Sequence, residues 1–511
     1  MYHCNDTQSQ VFAFLADPAT HGGAEVKRID THAASVFLAG ERAFKVKRAV
    51  RFPFLDYGTL DKRKAACAAE LEVNRAFAPQ IYRGIVPITR ADDGRLALGG
   101  DGEPVEWAVE MQRFDEAETL DRRAAHGIDA ALADRLGRMV AAAHREAPVV
   151  DAEPWIERLA VILDQNAAAF HQDAELFPRR AAGILDALSR AAFAGIRELV
   201  RERGRQGFVR RGHGDLHLGN IALIDGDPVL FDAIEFDPLI AACDVLYDLA
   251  FLLMDLVERE LAEAANTVLN RYLAETRRGE DLDALAALPF FLSLRAAIRA
   301  KVTAARLAHA DDGARRAIAR AARTYFDLAG RLIEPPSPTL VAIGGLSGTG
   351  KSVLARGLAP ALGPDPGAVI LRSDLERKAL FAVDETQKLP TEAYDAEVTA
   401  KIYARLADTA RRVVAAGHSA IVDAVFARSD ERTAIARAAV RSNVAFHGLF
   451  LVADLDTRLA RVTQRQKDAS DAGAEIARAQ EDYDIGPLDW TEVDASGTPE
   501  QTLAAAKGAL S

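Results

Sequence analysis

The chain holds 511 residues, 49% hydrophobic and 27% charged, with a formal net charge of −12. That length exceeds what one hydrophobic core serves, so two or three domains are expected in a protein of ordinary globular composition. The acidic balance, without a dense Lys/Arg run, argues against a nucleic-acid surface. Three cysteines, Cys4, Cys67 and Cys243, lie far apart with no C-x-x-C pair; this excludes a disulfide framework or Cys-rich zinc site and fits a reducing cytoplasm. The opening MYHCNDTQSQVFAFLADP has no basic segment followed by an apolar one, and even LYDLAFLLMDL is interrupted by Asp248 and Asp255. No run approaches the roughly 18–20 apolar residues of a membrane span, so a cytoplasmic protein without membrane partners is expected.

In chain order, residues 33–112 read as strands with one helix: ASVFLAG, RAFKVKR, a helix over about 60–77, then VEWAVEMQ. Residues 128–333 read as mostly helical, broken by a Gly/His/Asp-rich patch at 212–238. A small β-rich lobe before a large helical one, with chemistry at the junction, is a kinase layout. Within the patch, His213-Gly-Asp215-Leu-His217-Leu-Gly-Asn220 sets an Asp five positions before an Asn on a sharp loop. This spacing matches the catalytic loop of kinase-like phosphotransferases, where Asp215 would accept a hydroxyl proton and Asn220 would hold Mg²⁺. VLFDAIEF offers Asp232 as a second metal ligand, with Glu235 nearby. Two His and two Asp could instead bind zinc, but no further His or Cys lies at ligand spacing. His213 reads better as a buttress of the loop.

Such a site also needs a strand lysine and a helix glutamate. RAFKVKR supplies Lys45 and Lys47 on one strand face; the spacing does not choose between them, and Lys47 is preferred. The helix KRKAACAAELEVNRAF supplies Glu70, with Glu72 as the weaker candidate.

EPPSPT, Glu334 to Thr339, places three prolines in four positions and forbids helix continuation. It sets the expected division into domains 1–334 and 335–511. TLVAIGG then reads as a buried strand, followed by Gly345-Leu346-Ser347-Gly348-Thr349-Gly350-Lys351-Ser352, a match to G-x-x-x-x-G-K-[ST]. Glycines let backbone N–H groups approach phosphate oxygens, Lys351 reaches the β/γ phosphates and Ser352 ligates Mg²⁺. Asp374, just past the apolar run VILRS, is a candidate to orient or deprotonate an attacking hydroxyl, or else a helix N-cap. SAIVDAVF ends a third strand with Asp423, suited to holding Mg²⁺ or its water. Arg458, Arg461 and Arg465 share one side of a helix, where they either close over the transferring phosphoryl group or form a solvated face.

Residues 339–500 resemble small P-loop kinases of the adenylate-kinase-like group, which implies a doubly wound parallel sheet and transfer of phosphate to a hydroxyl. HGDLHLGN, FDAIEFD and YDLAFLLMDL are similar to the aminoglycoside/choline/homoserine phosphotransferase family, a likeness spanning about residues 30–330. It implies that Asp248 supports the catalytic loop. No G-x-G-x-x-G loop precedes Lys45; the nearest turn, FLAGERAF, is short, as suits this family. The order of the two halves resembles bacterial fusions of the two types. The expected fold is therefore an α+β bilobal protein-kinase-like domain followed by an α/β P-loop NTPase domain. The expected function is a two-site enzyme using ATP and Mg²⁺ to phosphorylate small hydroxylated, sugar-like metabolites. The alternative is a regulatory protein in which one ATP-binding half gates the other.

Overall fold

The computed structural model describes residues 2–52, 55–464 and 469–510. The chain divides into two compact units: Met1–Val161 with Arg201–Asp255, and Ile162–Val200 with Leu256–Ser511. The helices just before the proline-rich segment thus pack in the same unit as the C-terminal sheet.

In the first unit, a six-stranded antiparallel sheet runs in the order Val26–Asp30, Ala34–Ala39, Arg42–Lys47, Glu103–Gln112, Tyr82–Arg90, Leu96–Leu98. The strands expected in ASVFLAG, RAFKVKR and VEWAVEMQ are its second, third and fourth members. Successive strand residues point to opposite faces. Phe44 and Val46 accordingly meet Val11 and Leu15 of the helix Tyr2–Ala16 in one core, while Lys45 and Lys47 project from the other face. There the helix Leu60–Phe77 packs, its Cys67 joined with Ile81, Tyr82 and Val109 in a second core. Thr59 starts that helix: its hydroxyl accepts the Lys62 N–H at 3.3 Å. The turn between the second and third strands is only Gly40 and Glu41, with Gly40 at φ +56°.

Two short ladders carry the Gly/His/Asp-rich patch. Val209–Arg211 pairs with Ala242–Asp244, and Ile221–Ile224 pairs with Asp227–Leu230. The second is a tight hairpin turning on Asp225 and Gly226, both at positive φ, as a type I′ turn requires. The first is anchored by Asp244, which accepts from Arg203 at 2.6 and 2.9 Å with both side chains sealed from solvent.

The second unit is built on a five-stranded parallel sheet in the order Val369–Arg372, Ala420–Asp423, Thr339–Gly345, Ala445–Val452, Thr491–Asp494. The chain starts in the middle, goes out to the edge strand Val369–Arg372, returns inward to Ala420–Asp423, then crosses to Ala445–Val452 and Thr491–Asp494; the strand order thus reverses beside Thr339–Gly345, where such sheets bind ligands at their carboxyl ends. Val341, Ile343, Ile421 and Leu449 join Leu354 and Leu358 of the helix Lys351–Leu358 in its core. Before the proline-rich segment, the helices Leu288–Ala305 and Asp312–Ile333 pack along one another. Among the described residues no helix is long and apolar enough to cross a membrane.

Removing one member of a buried, hydrogen-bonded ion pair leaves the other charge uncompensated, at a cost of about 3–5 kcal/mol. Asp244→Ala should therefore lower the unfolding free energy by about that amount, read as a fall in urea midpoint. A change below ~1 kcal/mol would show that the Arg203 charge finds other compensation.

Candidate active sites

The first site gathers around the loop His213–Asn220. Its shape is held from below by the helix Val245–Glu258. Asp248, fully buried, accepts the backbone N–H of His213 at 2.9 Å and of Gly214 at 3.0 Å, and faces His144 at 3.3 Å. Two helical turns on, Asp255 accepts the Leu218 N–H at 2.9 Å. Two aspartates in an apolar helix are thus explained: each meets loop donors that have no water to turn to. His213 is buried, and its Nε2 meets the Phe231 carbonyl at 2.9 Å. A carbonyl only accepts, so Nε2 carries the proton. Burial lowers the ring's pKa despite the nearby Asp248 and Asp215 carboxylates, keeping it neutral.

Within this frame Asn220 Nδ2 donates to the Asp215 carboxylate at 3.0 Å and to its carbonyl at 2.9 Å. His217 Nδ1 accepts the Gly219 N–H at 3.0 Å, which leaves the proton on Nε2, 3.4 Å from Asp215 Oδ2. The Asp215 side chain remains 39% exposed. Asn220 and Asp232 come together at the open end of the hairpin, since the Phe231 N–H donates to the Asn220 carbonyl at 3.0 Å. Asp232 is held at φ +61°, a strained conformation for a non-glycine residue, with its N–H on the Tyr82 hydroxyl at 3.1 Å.

Both strand lysines reach Glu70: Lys45 at 2.8 Å and Lys47 at 2.5 Å. Lys45 continues to Asp232 at 2.5 Å, while Lys47 continues to Glu235, whose carboxylate also takes the Tyr57 hydroxyl at 3.1 Å. Lys45 is 14% exposed and Lys47 only 3%. Glu72, the weaker candidate, is exposed, and both lysines pair with Glu70 instead. Burial acts to raise the Glu70 pKa, but the two ammonium groups overcome it and bring it to about 2. Burial likewise opposes the charge on Lys45, yet Asp232 and Glu70 hold its pKa well above the ordinary value. Asn74, missed in the sequence, sits one turn after Glu70 and clasps Ala233, accepting its N–H at 2.7 Å and donating to its carbonyl at 3.2 Å. Its i+4 spacing from Glu70 was the available signal.

The second site lies at the carboxyl ends of the parallel strands. Gly345, Gly348 and Gly350 all have positive φ, at 136°, 88° and 93°. A Cβ on Gly348 would come within 2.6 Å of the Arg458 carbonyl oxygen, so this position requires glycine. The Leu346 carbonyl accepts from Thr349 Oγ1 at 2.8 Å and from Lys351 Nζ at 3.1 Å. Ser347 donates its N–H to Gln480 Oε1 at 2.6 Å. Ser352 Oγ donates to Asp423 Oδ2 at 2.5 Å, and Arg372 Nε stands 3.4 Å from the same oxygen.

Lys351, Ser352, Asp374, Asp423 and Arg461 line one cavity of about 1080 Å³. Asp374 lies inside the first turn of the helix Ser373–Leu380, whose N-cap is Arg372; the N-cap alternative for Asp374 is thereby replaced. Burial, and then repulsion from Asp423, raise its pKa against the pull of Arg372 and Lys351. Arg458 forms neither a lid nor a solvated face. It is buried, with Nε on the Ser347 carbonyl at 3.1 Å and a terminal nitrogen on the Ala477 carbonyl at 2.6 Å, and so braces the loop from behind. Arg461 lines the cavity with its guanidinium on the Ala495 and Gly497 carbonyls, both at 2.7 Å. Arg465 lies outside the described residues.

Among the described residues no cluster of three or more His, Cys, Asp or Glu side chains forms a metal site. A hydroxyl paired with a carboxylate, as at Ser352 and Asp423, instead suits Mg²⁺, which takes few protein ligands and completes its shell with phosphates and water. Asn220 and Asp232 supply a comparable pair of oxygen-bearing groups.

Comparison with known proteins matches two stretches of the chain. Residues 36–288 match the phosphotransferase enzyme family and residues 340–483 match an AAA domain. The chain belongs to the family that joins a phosphotransferase domain of this type to a P-loop kinase domain. Uncharacterized protein Rv2004c of Mycobacterium tuberculosis (strain ATCC 25618 / H37Rv) is 30% identical over 495 residues, covering 93% of this chain and 94% of its own. Uncharacterized protein Mb2027c of Mycobacterium bovis has the same identity and coverage. Among solved structures, a choline/ethanolamine kinase family protein from Mesorhizobium loti is 13% identical with TM-score 0.35, covering 64% of this chain and 99% of that one. A gluconokinase from Sinorhizobium meliloti 1021 is 16% identical with TM-score 0.26, covering 34% and 93%. The chain is a kinase-type phosphotransferase.

Because the folded pKa of Glu70 lies below its ordinary value of 4.5, its charge stabilises the fold above that pH, and the contribution is lost as pH falls toward about 2. Unfolding free energies of wild type and Glu70→Gln should differ fully at neutral pH and converge between pH 4.5 and about 2. A gap independent of pH would contradict the ionised Glu70.

Proposed function

We propose that each half transfers the γ-phosphoryl group of ATP to a hydroxyl of a small metabolite, sugar-like acceptors being the first to test. The observation that carries this reading is the placing of Asp374, its pKa raised, in one cavity with Lys351, Ser352 and Asp423. Raising a carboxylate's pKa makes it a stronger base toward a hydroxyl proton. In this reading the acceptor oxygen attacks phosphorus as its proton passes to Asp374, and the bond to the β-phosphate oxygen breaks. Lys351 stabilises charge on the transferring group. Ser352 and Asp423 would hold Mg²⁺, which when bound neutralises phosphate charge.

In the first half Asp215 takes the corresponding proton, its carboxylate aimed by Asn220 and His217. Asn220 and Asp232 would hold Mg²⁺ there. We assign the phosphate contact to Lys45 in place of Lys47, because Lys47 is sealed between Glu70 and Glu235 while Lys45 retains exposure beside Asp232. The division near residue 335 is, on this reading, the seam between the two catalytic sequences.

ADP release across a panel of sugars, aminosugars, aminoglycosides and nucleosides tests the proposal. Asp215→Asn should lower turnover of one acceptor by about 10²–10⁴-fold, as expected for loss of a general base. Lys351→Ala should lower turnover of a different acceptor by about 10²–10³-fold, the effect of losing a charge-stabilising group. ATP bound at both sites, with no acceptor consumed, would favour the gating alternative.

A further inference from the structure

The strand Val369–Arg372 is the free edge of the parallel sheet, and its outward backbone groups need partners that no further strand supplies. They find them in side chains. Asn270, on the helix Ala262–Thr276, accepts the Ile370 N–H at 2.7 Å through Oδ1 and donates to the Ala368 carbonyl at 3.1 Å through Nδ2. A carboxamide offers the same donor and acceptor as a strand backbone, so Asn270 stands in for the missing neighbour.

Asn266, one turn earlier and buried, donates a second hydrogen bond to Ala368 O at 3.0 Å. Asn270 Nδ2 also lies 3.1 Å from Asn266 Oδ1, linking the two amides. The close approach depends on Gly367, at φ +105°, where a Cβ would stand 2.9 Å from Asn266 Nδ2. Arg271, on the same helix, adds an ion pair to Glu385 at 2.8 Å.

The clasped strand leads directly into chemistry. Arg372 is its last residue and faces Asp423; Asp374 follows in the first turn of the next helix. We infer that Asn270, seconded by Asn266, is a positioning residue of the P-loop site, fixing the edge strand that presents Arg372 and Asp374. These asparagines fall within the segment matched by the phosphotransferase family, and the strand within that matched by the AAA domain. The P-loop catalytic geometry therefore depends on a helix from the other family's sequence. This inference rests on the reading of Asp374 as proton acceptor.

The test uses the full chain carrying Asp215→Asn, so that ATP turnover reports the second site, with ATP affinity and amide hydrogen exchange measured in parallel. Asn270→Ala should lower kcat by about 10-fold or more, as small misplacements of catalytic groups do. ATP affinity should change less than about two-fold, because the loop Gly345–Ser352 is untouched. The Ile370 amide should lose protection while Thr339–Gly345 keeps its own. Asn270→Asp, which still accepts from Ile370, should recover part of both signals, and Asn266→Ala should show a smaller loss. Lost protection at Ile370 with unchanged kcat would overturn the inference; so would equal loss of protection across all five strands. If Asp374→Asn leaves turnover intact, the proton-acceptor reading fails, and the exchange data still decide whether Asn270 holds the strand.

Discussion

A carboxylate withdrawn from water must find its compensation inside the protein, and in the first half that demand falls on Glu70. It has no solvent exposure and is met by two ammonium groups from one strand. Neither lysine could remain charged at that depth alone, and neither could the glutamate. The arrangement extends outward through Lys45 to Asp232 and through Lys47 to Glu235, so three elements of the chain are positioned by one alternation of charge. The consequence is functional as well as structural: helix Leu60–Phe77, strand Arg42–Lys47 and the segment after the hairpin are set relative to one another without a glycine-rich loop.

The second half solves the same problem with backbone groups. Its loop follows a strand buried on both faces, and positive φ at three glycines gives the turn its path. Gly348 presses against the Arg458 carbonyl while the Arg458 side chain holds the Ser347 carbonyl. Gln480 takes the Ser347 N–H from the other side. The loop is thus shaped by residues that never need to touch a phosphate. An arginine seen in sequence near a phosphate site has at least two uses, and here the buried guanidinium stabilises protein carbonyls.

Motifs whose chemistry resides in consecutive residues were legible in the sequence. HGDLHLGN and GLSGTGKS impose a local backbone, and that backbone follows wherever the motif lies. Glu70 was legible because a strand lysine implies a helix partner. Choosing between Lys45 and Lys47 required tertiary burial, since both occupy the same strand face and only depth separates them. Arg458 was misread because helix periodicity assigns a face without saying whether that face meets solvent or another loop. Asn266 and Asn270 left almost no signal: a side-chain amide bonding distant backbone has no spacing rule, and Asn74 offered only its place one turn after Glu70. Asp248 and Asp255 stood out as charges in an apolar run, and their partners 34 to 37 residues earlier explain them.

The division of the chain into sequence families and its division into compact units do not coincide. The proline-rich segment after Ile333 breaks the helix, as proline must, yet breaking a helix does not separate a core. The edge of a sheet is a row of unpaired donors and acceptors, and leaving it bare invites pairing with other chains. In this protein the cover is supplied by helix Ala262–Thr276, reinforced by Arg412 on Asp283 at 2.6 Å and Arg271 on Glu385. The covering helix comes earlier in sequence than the linker, so the P-loop sheet acquires its finished edge from residues outside its own family match. One sequence thus completes the other's sheet: the Ile370 N–H and the Ala368 carbonyl take their partners from Asn270 and Asn266 of the earlier helix.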